Sequence, residues 1–177
     1  MAQNGAEILD APKDGQVEAE QDGESLQFLT FTVGKEEYGV DIMKVREVKG
    51  WTETTRLPNT PEYMRGVLNL RGIVIPIFDL RARFGGGLTE ANEKNVVVIL
   101  AVGHRIVGVL ADTVSDIITV NSNEIKASPK TEGSGDAEFV GGLIAVGEND
   151  GDRMVALLKM ENLFDQDEIK QAANAKA

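Results

Sequence analysis

The chain has 177 residues, with 18 Lys and Arg against 29 Asp and Glu, a formal net charge of −11. That balance excludes a phosphate-tracking nucleic-acid surface, which gains affinity by releasing counterions with Lys and Arg, and the absence of cysteine excludes disulfides, thiolate metal sites and a cysteine nucleophile. No apolar run approaches the ~20 residues that span a bilayer, and the acidic amino terminus lacks the positive start and apolar centre of a signal peptide, so the reading is cytoplasmic.

Residues 1–25 hold seven acids (Glu7, Asp10, Asp14, Glu18, Glu20, Asp22 and Glu24) and one base, Lys13. Apart from Ile8, Leu9 and Val17 this stretch has almost nothing to bury, and it reads as a disordered acidic arm. The body that follows, residues 26–165, is close to neutral. Its apolar residues come in short Val, Ile and Leu runs bounded by Gly, Asn, Asp or Pro, which are strand and turn signals. Nine strands are predicted, over 28–33, 37–42, 67–71, 73–78, 96–102, 106–111, 115–120, 139–144 and 154–158. Within the body only 61–66 reads as a helical turn, with Thr60 as N-cap and Pro61 at the first helical position. After Asp165, a second N-cap candidate, acids in the first turn and good helix formers predict a short carboxy-terminal helix and tail over 166–177, fraying into Ala175-Lys-Ala.

Shifted by 69 positions, the chain partly matches itself: Val33, Gly34, Gly39, Val40 and Val45 fall on Val102, Gly103, Gly108, Val109 and Val114 without a gap. Glu47 falls on Asp116 and Val48 on Ile117. Further on, Gly66-Val67-Leu68 resembles Gly142-Leu143-Ile144, and 75–80 resembles 155–160. Two related β-barrels are the favoured reading, with approximate boundaries 26–92 and 93–165. Val-rich hairpins with glycine turns also match by chance at some offset, and under either reading both halves are β.

Catalytic signals are weak. The one histidine, His104, falls at a predicted hairpin tip opposite Lys35 in the repeat, and one histidine without cysteine gives none of the common zinc arrangements. Neither Gly85-Gly-Gly-Leu-Thr nor Gly133-Ser-Gly carries the Lys-Ser/Thr of a phosphate loop, and no strand leads into Ser134 as into a nucleophile elbow. The reading is therefore not an enzyme, with no cofactor and no metal. More informative are Arg71, Arg81 and Arg83 beside the apolar run 73–78. Arginine is favoured at interfaces because its planar fork pairs with carboxylates and tolerates partial desolvation. Arg71 equally reads as pairing with an acid of its own surface.

Three stretches carry a resemblance: Phe28-Leu-Thr-Phe-Thr-Val-Gly-Lys-Glu-Glu-Tyr-Gly-Val-Asp-Ile-Met-Lys-Val-Arg-Glu-Val, Gly66-Val-Leu-Asn-Leu-Arg-Gly-Ile-Val-Ile-Pro-Ile-Phe-Asp-Leu-Arg and Gly108-Val-Leu-Ala-Asp-Thr-Val-Ser-Asp-Ile. In order and spacing, from about Leu26 to Phe164, they resemble the CheW family of bacterial chemotaxis adaptors. The resemblance implies an all-β fold of two SH3-like five-stranded barrels packed together. It implies a non-enzymatic coupler that docks on the regulatory domain of the histidine kinase CheA and on the cytoplasmic tip of transmembrane chemoreceptors, at membrane-associated arrays. By position, Val45 and Glu47 would contact the receptor, Arg71 would be the polar centre of the surface, within pairing reach of Glu47, and Val74 its apolar surround. Val96 and Ile117 would line a groove between the barrels. Other readings are a coupling module of a related pili or biofilm pathway, which shares fold and partners, and a ligand- or oligonucleotide-binding barrel. The latter needs basic stripes and exposed aromatics that this body does not show.

Overall fold

The computed structural model describes residues 23–129, 138–147, 153–164 and 167. The first 22 residues of the arm, the Gly133-Ser-Gly loop and, apart from Asp167, the predicted helix over 166–177 lie outside these.

Ten strands form two five-stranded antiparallel-dominated sheets: β1 (Ser25–Val33), β2 (Glu36–Asp41), β3 (Val45–Gly50), β4 (Met64–Leu70), β5 (Ile73–Asp79), β6 (Val96–Val102), β7 (Arg105–Ala111), β8 (Thr113–Asn121), β9 (Val140–Val146) and β10 (Arg153–Leu158). One sheet has the order β8-β1-β2-β10-β9 and the other β3-β6-β7-β5-β4. Short helices α1 (Leu80–Arg83) and α2 (Met160–Leu163) follow β5 and β10. The fold is the all-β pair of SH3-like barrels expected from the sequence.

Each repeat is one run of five strands and a helix. Replacing β1 through β5 by β6 through β10, and the reverse, turns one sheet order into the other. Neither barrel is built from one repeat, however, and the division at residue 92 does not follow the sheets. The chain leaves the first sheet after β2 through a 3-10 turn, Ile42–Lys44, and returns through Asp112, between β7 and β8. Strands β1 and β2 therefore pair with β8 and β10, and β3, β4 and β5 complete the barrel of β6 and β7.

Alternation along the central strands builds three cores. From β1, Phe28 enters one barrel while Leu29, Phe31 and Val33 face the layer between barrels. From β6, Val97 and Ile99 fill the other barrel while Val98, Leu100 and Val102 join the same middle layer. Both helices close that layer with Leu80, Met160 and Leu163, and Phe164 stacks on Phe78 at 4.1 Å between centroids.

The repeated glycines sit at matching places, the parallel pairings Leu157↔Gly39 and Ile77↔Gly108. A Cβ on Gly108 would lie 2.5 Å from Ile77 Cδ1 and 2.9 Å from Val97 Cγ1. Overpacking of this kind costs ~1–3 kcal/mol, so Gly108→Ala is expected to lower the urea midpoint without changing the slope of the transition. An unchanged midpoint would mean that the barrel interior yields to the extra methyl.

Two local expectations need correction. Residues 61–64 make one tight turn, Met64 N–H donating to Pro61 O at 3.0 Å, and Thr60 Oγ1 donates to Leu57 O instead of capping. The chain is held extended there because Tyr63 O accepts from Asp79 N at 2.7 Å, carrying the β4–β5 ladder past Met64. The second is β3, where no strand was predicted. Its Val-Arg-Glu-Val-Lys-Gly is an edge strand whose side chains alternate between half-buried and exposed.

Candidate functional site

Asn69-Leu-Arg-Gly forms the tight turn from β4 to β5. Arg71 has φ 52° and Gly72 φ 88°, both left-handed, as the two central residues of a hairpin turn that matches strand twist must be. Asn69 Oδ1 accepts from Gly72 N–H at 2.9 Å and fixes the bend. For a residue with a Cβ the left-handed well costs roughly 1–2 kcal/mol. The turn aims the guanidinium outward, 73% exposed, where Nη2 donates to Glu47 Oε2 of β3 at 2.6 Å. An exposed pair returns ~0.2–1 kcal/mol, so Arg71 contributes little to stability on balance. The turn thus holds a strained non-glycine residue at the surface.

The pair borders a depression of about 320 Å³ on the barrel of β3-β6-β7-β5-β4. Leu70, Ile73, Ile99 and Ile106 supply its apolar lining, and Arg46 joins Glu47 and Arg71 at the border. Ile73 is 57% exposed. Solvated aliphatic surface bordered by two arginines and a glutamate suits a protein contact.

Of the six residues singled out from sequence, Glu47 and Arg71 come together here. Val45, Val74 and Val96 are half-buried and pack on the edge of the middle layer. Val45 and Val96 lie towards opposite ends of the β3–β6 pairing, opposite Leu100 and Gly50. Ile117 lies on the other sheet, opposite Leu29 on edge strand β8, and is 51% exposed. Among the arginines near the apolar run, only Arg71 joins this pocket. Arg81 Nε donates to Gly86 O, and Arg83 donates to Leu163 O at 2.7 Å with its guanidinium over Phe139, tying the helices together. Sequence reading missed Ile73 and Arg46. The run Ile-Val-Ile-Pro-Ile-Phe is apolar throughout, so nothing in it distinguishes an exposed first residue from a core one. Val48, the repeat partner of Ile117, is likewise 41% exposed.

Beside Val45, Lys44 forms an ion pair with Glu161 of α2. That hydrogen bond holds the Glu161 carboxyl below its ordinary 4.5, against the opposing effect of burial. Since the folded-state value is the lower one, the stabilisation is present at neutral pH and is lost as pH falls below about 4.5. Glu161→Gln is thus expected to be slightly less stable than the parent at pH 7, the urea midpoints converging towards pH 3. A constant gap across that range would assign the loss to packing.

A family model described as the CheW-like domain matches residues 27–168. The chain belongs to the CheW-like family. It is 40% identical over 148 residues to the chemotaxis protein CheW of Klebsiella aerogenes, covering 84% of this chain and 87% of that one. It is 38% identical over 146 residues to a probable chemotaxis protein CheW of Rhizobium etli, covering 82% and 92%. The crystal structure of the scaffolding protein TtCheW from Thermoanaerobacter tengcongensis superposes with a TM-score of 0.72 at 30% identity, covering 84% of this chain and 93% of that one. CheW-like proteins are adaptors and scaffolds, and a depression lined by aliphatic residues and arginines suits such work. Among the described residues no group of three or more His, Asp or Glu is placed to hold a metal ion, and no helix is long and apolar enough to cross a membrane.

Proposed function

We propose that this protein is a non-enzymatic chemotaxis adaptor that couples transmembrane chemoreceptors to the histidine kinase CheA. The observation that carries the reading is Arg71, held outward by a strained turn over an aliphatic pocket in a CheW-like chain. In this reading Arg71 and Glu47 form the polar centre of the contact surface, and Val45, Val74, Val96 and Ile117 are its apolar parts. Val45, Val74 and Val96 are anchored in the layer joining the barrels, so a partner helix pressing on them bears on both barrels. Signalling then needs only a difference in contact energy between receptor states, of the 1–3 kcal/mol typical of coupling between sites. The protein works in the cytoplasm, at receptor arrays on the membrane.

Co-sedimentation tests the whole proposal. Purified CheA should pellet with receptor-containing membranes when this protein is added and remain largely soluble without it. Pelleting that does not depend on the added protein would overturn the reading.

A further inference from the structure

The pocket beside Arg71 has a chemical complement within the same chain. Among residues 1–22 only Ile8 and Leu9 form an adjacent aliphatic pair, and an acid flanks them on either side, in Glu7-Ile-Leu-Asp. The pocket presents a largely converse pattern, aliphatic Leu70, Ile73 and Ile106 bordered by Arg46 and Arg71, with Glu47 as the one acid, already paired with Arg71. Arg46 donates to Met43 O and enters no ion pair among the described residues. The arm's other acids add to the attraction, since residues 1–25 carry seven acids and one base.

Reach is sufficient. Thirteen residues, or fourteen Cα-to-Cα steps, lie between Leu9 and Gly23, where the described chain begins, and fully extended the steps span about 46–50 Å. A folded body of this length has a radius of gyration of about 14 Å, hence a diameter of about 36 Å, so the extended tether is longer than the body is wide. A tether of this order sets an effective concentration on the order of millimolar. A segment with only millimolar intrinsic affinity is then docked about half the time.

We propose that residues 7–10 dock in the Arg71 pocket of their own chain, Ile8 and Leu9 on the aliphatic lining and Glu7 and Asp10 towards Arg46 and Arg71, and there compete with the partner. Competition rests on the reading of this pocket as partner surface; docking does not. The partner's apparent affinity falls by the fraction of pockets left open, and docking weakens as salt shortens the screening length from ~10 Å at 0.1 M to ~3 Å at 1 M.

Because the chain has no cysteine, a single nitroxide on the full-length Asn4→Cys variant reports arm position. With isoleucine methyls labelled, Ile73 and Ile106 should broaden more than the exposed Ile117 at low salt, and recover in 1 M salt or when Ile8→Ser and Leu9→Ser are added. Equal broadening of Ile73 and Ile117 overturns the docking. So does broadening transferred wholly between spin-labelled and isotope-labelled molecules, which assigns the segment to a second copy. Binding is then titrated with purified CheA regulatory domain and a receptor fragment. Ile8→Ser with Leu9→Ser should raise affinity two- to tenfold for a partner whose binding Arg71→Glu weakens. An unchanged affinity for such a partner overturns the competition. If Arg71→Glu alters neither partner, the adaptor reading of the pocket fails, competition with it, while docking stands on the resonance data.

Discussion

Arg71→Glu is expected to weaken binding to the kinase regulatory domain or to a receptor fragment roughly 30- to 700-fold, the ~2–4 kcal/mol of a central arginine at an interface, and to leave the fold intact. The substitution removes the donor to Glu47 and sets a second carboxylate beside it at an exposed turn, where no core packing is lost. A companion change separates contact from folding. Arg71→Asn places in the same left-handed turn a residue that tolerates it well, so it should equal or exceed the parent in Tm by a few degrees while also losing affinity. Calorimetric titration checks both variants. Parental affinity of Arg71→Glu for both partners would remove the pocket from the interface.

The largest expected loss of stability lies elsewhere. Asp79 is fully buried at the end of β5 and N-caps α1. It accepts from Ala82 N–H at 3.3 Å, from Thr89 N–H at 2.7 Å and from the Thr89 hydroxyl at 2.8 Å, with Arg65 at 3.5 Å. Arg65 in turn donates to Thr89 O and lies over Trp51. One carboxylate thus holds a helix start, the loop to β6 and strand β4. Removing it leaves Arg65 without its counter-charge and the buried Thr89 N–H without an acceptor, and breaking a buried pair costs about 3–5 kcal/mol. For a chain of this size Asp79→Ala should lower Tm by roughly 6–20 °C, and Asp79→Asn, which keeps one acceptor oxygen, by less. A calorimetric scan within about 2 °C of the parent would show that the loop holds without this clasp. The corresponding position in the other repeat is Lys159, exposed and making no cap, so this clasp belongs to one barrel only.

How far the sequence discloses this molecule depends on where side chains carry the information. Strands β1, β6 and β7 announce themselves through buried valines and phenylalanines, and the repeat through Gly39 and Gly108, because the same close packing recurs at both. Strand β3 is harder to read. Val45, Glu47 and Lys49 are its half-buried side chains, with Arg46, Val48 and Gly50 exposed between them, and a mixed edge strand looks like a loop. Its repeat partner, 115–120, did read as a strand, so the 69-residue shift contained the missing assignment. The exchange of strands between barrels leaves no trace in composition, since backbone ladders are indifferent to which repeat supplies them. Within the site, Arg71 is legible because arginine beside an apolar run is unusual, whereas Glu47 is singled out only through the family resemblance. Ile73 is not legible, since exposure at the first residue of such a run is set by the turn that precedes it.

The exchange also bears on how the chain comes to be folded. In an ordinary tandem array each unit can form as it is synthesised, from contacts close in sequence. Here β1 finds its neighbour β8 only after some ninety residues have intervened, with Ser25 opposite Asn121 and Leu29 opposite Ile117. Such distant partners raise the contact order, slow folding and leave early strand edges open until the last ones arrive. The two halves are arranged like an intertwined dimer made permanent by a covalent link, in which neither half supplies all the strands of either sheet. A contact that strains one barrel is therefore borne by strands belonging to both.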